Sequence, residues 1–406
     1  MSLSQKVAFN TGIQIASKII TVGFTLLTTI LLTGYLGKQG YGEYIYVLTL
    51  VALFGAFADW GTLTIGVREA AKKKQNQGQL LANIFILRLL LALLAVILLI
   101  IASFFLPMQR RIIIIASPIL FWVATKASFG IVFQSKLQMH KAAVADVINS
   151  FLIFVFSWYV VQKGLGFGPL IWSITWATVL AALVAGVLAI KTASYIFAID
   201  KKLIIRFFKK SLPMGAVLLM FTMDNKIDTI MLGSIKGSGA VGIYGLSSRV
   251  YDVLILGAAY LMNSLLPIFS GLGLKKLKKA FQKTFLVLLV MGLVVLAGVL
   301  LFSPLVVKIL TRQRFSEFID SIPVLKIMGV SLLIAYFNHL TGYTIVALGK
   351  QRSYFWIALG SLIFNLIANS LFIPRFSYYG AAWVTVLTES LVLAITISFL
   401  RWTLKS

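Results

Sequence analysis

The chain has 406 residues, of which 60% are hydrophobic and 12% charged, with a formal net charge of +26 and no cysteine. A water-soluble domain is excluded, because such domains run at about 45 to 50% apolar and about 25% charged residues, and the missing cysteine excludes disulfides and thiolate metal sites. A strongly basic chain ordinarily suggests nucleic acid, but the positions of these charges assign them to membrane topology and exclude nucleic acid as a partner.

Apolar stretches of membrane-crossing length recur along the sequence near residues 12–35, 42–66, 81–106, 112–133, 142–161, 169–190, 213–233, 241–267, 285–309, 321–347, 353–373 and 380–402. Each is continuously apolar over roughly 20 residues, enough for a helix to cross about 30 Å of hydrocarbon. They lack the period-2 alternation of barrel strands. The first begins by Gly12 after a single Lys6 and shows no small-residue cleavage pattern, so it reads as a retained span. With the N-terminus inside, the segments on the cytoplasmic side hold 22 of the 37 Lys and Arg residues, among them Arg68 with Lys72 to Lys74, Lys201 to Lys210, Lys275 to Lys283, and Arg401 with Lys405. Under the positive-inside rule that skew predicts an all-α, twelve-span protein of the inner (plasma) membrane with both termini cytoplasmic. Anionic lipid headgroups are the expected by-product partners of so much basic charge.

The longest connection, residues 191–212, alternates Lys201-Lys202, Arg206 and Lys209-Lys210 with Leu203, Ile204, Ile205, Phe207 and Phe208. That pattern predicts an amphipathic cytoplasmic linker on the membrane surface between a first bundle, 1–190, and a second, 213–406. A repeat supports the division. Gly37-Lys38-Gln39-Gly40-Tyr41-Gly42-Glu43-Tyr44 is echoed 200 residues later by Gly237-Ser238-Gly239-Ala240-Val241-Gly242-Ile243-Tyr244. A second echo runs from Asn149 and Gly168-Pro169 to Asn365, Pro374 and Gly380-Ala381-Ala382. Two echoes in the same order predict a parallel duplication of six helices.

These residues, with Asn10, Leu36-Gly37, the run Asp228 to Gly233, Arg249, Pro267 and the Asn365 to Glu389 segment, resemble the polysaccharide flippase family. That family is the lipid-linked oligosaccharide branch of the superfamily that includes multidrug extruders and the lipid-linked peptidoglycan precursor flippase. The resemblance covers essentially the whole chain. It implies a V-shaped, MATE-like pair of six-helix bundles opening alternately to each side. It further implies outward movement of undecaprenyl-pyrophosphate-linked oligosaccharide for cell-surface polysaccharides such as O-antigen. A glycan polymerase and glycosyltransferases of the same pathway are the implied protein partners. Many relatives carry two further spans at the C-terminal end; the spans here number twelve.

An ionisable group inside a span costs at least about 2.5 to 3.5 kcal/mol on insertion scales and is a functional candidate by default. Span 7 carries Asp224, Lys226 and Asp228, the two acids sharing a face and the lysine lying on the other side. Span 8 returns with Arg249 and Asp252, and helix rise places Arg249 and Asp228 at similar depth, able to pair. Two readings follow: Asp224, Asp228, Asp252 and Arg249 form a neutralising network that fastens two helices, or Arg249 and Lys226 bind a pyrophosphate, for which the guanidinium fork is suited. Lys18 joins the binding candidates because span 1 lines the cavity in the resembled family. Arg88 and Lys126 lie within about two turns of the cytoplasmic face and read as snorkelling cations. Asp59 and the deeper Glu389 are candidates for Na⁺ or proton coupling, with no other cofactor expected. His339 reads as a hydrogen-bonded core residue. The competing functions are a MATE-like drug or cation antiporter, whose cavity should be acid-rich, and a membrane glycan polymerase. No Asp-x-Asp, Ser-His-Asp or metal-ligand set supports an enzyme.

Overall fold

The computed structural model describes residues 3–72, 76–106 and 110–403, with side chains described from Gly12 onward; Lys6, Asn10, Lys73, Lys74 and Lys405 lie outside the described side chains. The described residues form twelve helices and no strand: α1 (Leu3–Asp59), α2 (Thr62–Lys72), α3 (Gln77–Ala102), α4 (Arg110–Ser135), α5 (Met139–Gln162), α6 (Phe167–Ile190), α7 (Lys201–Lys236), α8 (Ser238–Leu254), α9 (Leu256–Ser270), α10 (Leu274–Thr311), α11 (Ser321–Ala347) and α12 (Gln351–Thr403). A short 3-10 stretch, Arg312–Phe318, joins α10 to α11.

Among the described residues, nine helical stretches are long and apolar enough to cross a membrane. Helix α1 contains 57 residues and α12 contains 53, about 80 Å each if straight, far more than a bilayer core. Each is two helices joined at a non-helical residue, Gly37 (φ 65°) in α1 and Ser377 (φ 51°) in α12. Dividing both, and adding the more charged α7, accounts for the twelve spans of the sequence.

The junctions repeat as the sequence echo predicts. Gly37 and Gly237 share nearly one backbone conformation, φ 65° and ψ −173° against φ 82° and ψ −179°. A positive φ with ψ near 180° is a region open essentially to glycine. The echoed glycines also meet: a Cβ on Gly42 would run into the Ser238 carbonyl, and one on Gly242 into the Lys38 carbonyl. The two contacts are the same pair shifted by 200 residues, so the repeat is built into reciprocal backbone packing. The most apolar stretches, α3 and α10, hold corresponding places in the two halves, and both present exposed aliphatic faces, Leu and Ile on α3 and Leu, Val and Ile on α10. Such faces would be sticky patches in water and are matched by lipid.

Contacts divide the chain into two compact units. One comprises Met1–Tyr35 and Val47–Thr222; the other comprises Leu36–Tyr46 and Met223–Ser406. In the first, Leu80, Leu81, Ile84 and Leu87 of α3 pack with Ile131 and Val132 of α4 and Phe207 of α7. In the second, Met262 and Phe269 of α9 and Leu288 of α10 pack with Leu332, Tyr336 and Leu340 of α11. The basic segment expected as a separate linker is not a separate helix. Residues 201–212 are the first three turns of α7, which runs on through Pro213 to Lys236. The helix continues because Phe207 is buried against α3 and α4, so this turn is anchored by packing as well as by its exposed lysines.

Candidate functional site

Helix α7 brings Asp224, Lys226 and Asp228 into the interior of the second unit. Around them Tyr244, Ser248, Tyr251 and Asp252 of α8 project from one face, at spacings of four, three and one. Met328 of α11 and Asn365, Thr385, Thr388 and Glu389 of α12 complete the walls of a polar cavity of about 70 Å³. That volume admits several waters or a partly hydrated cation. It is far below the roughly 300 to 1,000 Å³ of pockets for drug-sized ligands.

Asp228 is the centre of the cavity and only 6% exposed. The Tyr244 hydroxyl donates to its Oδ2 at 2.9 Å, the Thr385 hydroxyl to the same oxygen at 3.2 Å, and the Asn369 amide to Oδ1 at 2.6 Å. The same Asn369 amide reaches Asn365 Oδ1 at 2.7 Å, one turn away on α12. The carboxylate is therefore held by neutral donors, with no cation within ion-pair distance among the described residues. A buried charge so placed is under-compensated. Several nearby oxygens are buried with no hydrogen-bond partner: Asn369 Oδ1, Thr388 Oγ1 and one oxygen of Asp224. Buried oxygens are rarely left orphaned in native proteins, and a cluster of them around a carboxylate presents lone pairs to a hard cation.

Glu389 lies one turn beyond Thr385 on α12. The Asn338 amide of α11 donates to its Oε2 at 2.5 Å and to its backbone carbonyl at 2.8 Å, which fixes the carboxylate against α11. Lys226 Nζ stands 3.9 Å from Asp252 Oδ2 at the partly exposed rim.

The cavity thus gathers Asp224, Lys226, Asp228, Asp252 and Glu389 from the sequence candidates. Arg249 is beside it and does not line it. The expected pairing of Arg249 with Asp228 does not form, because Arg249 is one residue past Ser248 and so about 100° around α8 from the cavity face. It faces Tyr41 and Tyr44 instead, with Asp252 its nearest acidic influence, and its Nε is buried without a hydrogen-bond partner.

The remaining candidates, His339 of α11 apart, lie in the first unit. Asp59 is taken up by Arg88, whose Nη1 approaches Asp59 Oδ1 at 3.0 Å and the Thr62 hydroxyl at 2.6 Å, while its Nε donates to Ser128 at 2.8 Å. Arg88 therefore does not snorkel: it is 1% exposed, because these partners draw the guanidinium inward. Asp59 also accepts the Leu63 amide at 3.0 Å and caps α2. Lys126 is ion-paired with Asp146 at 2.7 Å, and Lys18 is exposed. His339 packs near Tyr343, with ring centroids 6.1 Å apart.

Sequence reasoning passed over Asn338, Asn369, Thr385, Thr388 and Asp146. A signal existed on α12, where Asn365 and Asn369, and Thr385 and Glu389, are polar pairs four apart in otherwise apolar spans. Asn338, a continent of helix away in sequence, carried no such mark.

The profile of the family described as polysaccharide biosynthesis protein matches residues 7–272, and that of the MatE family matches residues 213–371. Over 189 residues the chain is 26% identical to an uncharacterized membrane protein of Methanocaldococcus jannaschii; the match covers 46% of this chain and 43% of that protein, less than half its length. Among solved structures, the lipid II flippase MurJ superposes with a TM-score of 0.79 at 16% identity over 97% of this chain and 87% of that one. A multidrug resistance MATE family transporter superposes with a TM-score of 0.74 at 16% identity, covering 95% and 94%. A transporter of the same superfamily from Pyrococcus furiosus, described as having a binding pocket of reverse polarity, gives 0.68 at 16% identity, covering 98% and 95%. At these identities the likeness is one of fold.

Proposed function

The chain belongs to the polysaccharide biosynthesis protein family, within the multidrug/oligosaccharidyl-lipid/polysaccharide exporter superfamily of transporters, and from that premise we propose that it is a flippase for undecaprenyl-pyrophosphate-linked oligosaccharide. In this reading the glycolipid moves from the cytoplasmic to the outer face of the cell membrane by alternating access, with both termini cytoplasmic. The observation that carries an anionic cargo is Arg249. It is a guanidinium inside a span, with no carboxylate within ion-pair distance among the described residues and with its Nε unsatisfied. A partly buried guanidinium held by the Tyr41 hydroxyl and by no paired carboxylate can accept an anion, and a pyrophosphate offers bidentate oxygens. Lys226 at the cavity rim and exposed Lys18 are the supporting cations.

The polar cavity takes the coupling role. Its acids outnumber its single lysine, as a cation antiporter would require, which is the observation favouring a drug-export reading. Its size supports coupling over cargo: about 70 Å³ suits Na⁺ or a proton with water and is small for a drug or a glycolipid. We assign Asp228, Asn365, Asn369 and Thr385 to that ion, with Glu389 and Asp224 at its edge.

The test is appearance of lipid-linked oligosaccharide at the outer face of proteoliposomes, normalised to folded protein. Arg249→Ala should lose transfer at least tenfold at wild-type melting temperature, since it abandons no carboxylate partner, and Arg249→Lys should recover only part, having lost the fork. Wild-type transfer by Arg249→Ala removes it from the binding site. Export of a cationic dye with no glycolipid transfer replaces the flippase reading with the antiporter one.

A further inference from the structure

A second cavity of the same unit, about 640 Å³, is walled by α10, α11 and the end of α12 and shares no lining residue with the polar cavity. Its floor is apolar. Phe285 of α10 stacks on Phe337 of α11 with ring centroids 4.9 Å apart, and Phe281 and Ile397 extend the walls. Its only charged lining residues are Lys278, in the second turn of α10, and Arg401, in the last turn of α12. Helix α10 starts where α11 and α12 end, so both cations stand at one end of the groove. Phe285 lies seven residues from Lys278, roughly 10 Å deeper along the helix.

Neither cation is in an ion pair among the described residues, and both are exposed. They are also embedded in an acid-free surround: α10 carries Lys275, Lys276, Lys278, Lys279 and Lys283 and contains no Asp or Glu. An apolar trough closed at one end by two unpaired cations is complementary to a molecule with an anionic head and a hydrocarbon tail.

We infer that this groove binds an anionic glycerophospholipid of the leaflet at which α10 begins, with the lipid phosphate on Lys278 and Arg401 and an acyl chain against Phe281, Phe285 and Phe337. The cations stand at one depth only. A lipid that crosses the membrane would need a headgroup position at both faces, whereas one that stays in its leaflet needs one. The occupant is therefore a bound lipid and not the cargo.

The experiment is native mass spectrometry of the intact wild-type chain titrated with phosphatidylglycerol or with phosphatidylcholine of the same acyl chains. Each cation near an anionic headgroup contributes a preference of roughly fivefold, so phosphatidylglycerol should be retained about tenfold or more tightly over phosphatidylcholine. Lys278→Gln with Arg401→Gln, both on exposed side chains, should abolish the preference while leaving residual binding of either lipid. Ile397→Trp should occlude the trough and remove both. Equal retention of the two lipids by wild type, an unchanged preference in the double variant, or displacement of phosphatidylglycerol by a lower concentration of undecaprenyl pyrophosphate would each overturn the assignment, the last by making the groove a cargo site. The readout is lipid binding, so its failure leaves the transport proposal standing, and loss of transport leaves it untouched.

Discussion

In the unit built on α3 and α4, Arg88 and Asp59 meet at 3.0 Å, and Thr62 and Ser128 each take a further guanidinium donor. In the unit built on α8 to α12, Asp228 is as deeply buried, yet only hydroxyls and an amide hold it, and oxygens around it are left without partners. The first arrangement is closed, each charge consumed by its neighbour. The second is open, a set of acceptors around Asp228 with no side-chain cation within ion-pair distance of it among the described residues. The two halves repeat in helix order and junction geometry, so fold alone does not distribute function. The distinction lies in whether a buried charge brings its own counter-ion, and this separates a fastening from a site.

The largest effect should come from breaking the closed pair. Asp59→Ala leaves Arg88 buried and uncompensated, a loss of about 3 to 5 kcal/mol in soluble proteins, moderated here because Asp59 itself is 22% exposed. Thermal unfolding in detergent should show a lowered melting temperature, and Arg88→Met with Asp59→Leu should recover most of it. A wild-type melting temperature for Asp59→Ala would mean that the pair fastens nothing, and the contrast between the units would fail.

In the open site the same kind of substitution should spare the fold and change ion dependence. Asp228→Asn keeps an acceptor for Tyr244 and Thr385, so its destabilisation should stay near the 1 to 3 kcal/mol of a weakened hydrogen-bond set. Wild-type protein should melt higher as Na⁺ or proton concentration rises, by about 2.7 kcal/mol at a hundredfold excess over the dissociation constant. Asp228→Asn should lose that response. Glu389→Gln retains the Asn338 hydrogen bond and should remove the dependence of transport on an imposed gradient without lowering the melting temperature. A full ion response in both variants would return these carboxylates to packing.

The smallest effect concerns a charge group in neither setting, at the loop following α10. The Lys38 backbone amide donates to Glu317 at 2.9 Å and Arg314 to the same carboxylate at 2.7 Å, and together they hold its carboxyl below the usual carboxylate range. A depressed carboxylate stabilises the fold above its unfolded pKa, and that contribution is lost as pH falls through the folded value. The melting temperature of Glu317→Gln should therefore be lowest relative to wild type near neutrality, and the two should converge as the solution is acidified. A gap that stays constant with pH would mean that the group acts by shape alone.

The all-α polytopic membrane architecture and the 200-residue repeat were readable in the sequence. Lipid solvation requires continuous apolar runs, and a positive φ at Gly37 and Gly237 demands glycine; both constraints act locally and leave their mark at each position. The acids that line the polar cavity were readable as buried charges too, since Asp224, Asp228 and Glu389 are costly wherever they stand in a span. What those charges face was decided by tertiary structure. A single residue step on α8 turns Arg249 away from Asp228, and Arg88, near enough to the membrane surface to snorkel, is drawn inward by Asp59, Thr62 and Ser128. Asn338 and Asn369 are ordinary polar residues until α11 and α12 set them against Glu389 and Asp228. A side chain's cost of burial is intrinsic to its chemistry, but its partner is a matter of helix rotation and of which helices meet, and these are fixed only when the helices of each unit pack.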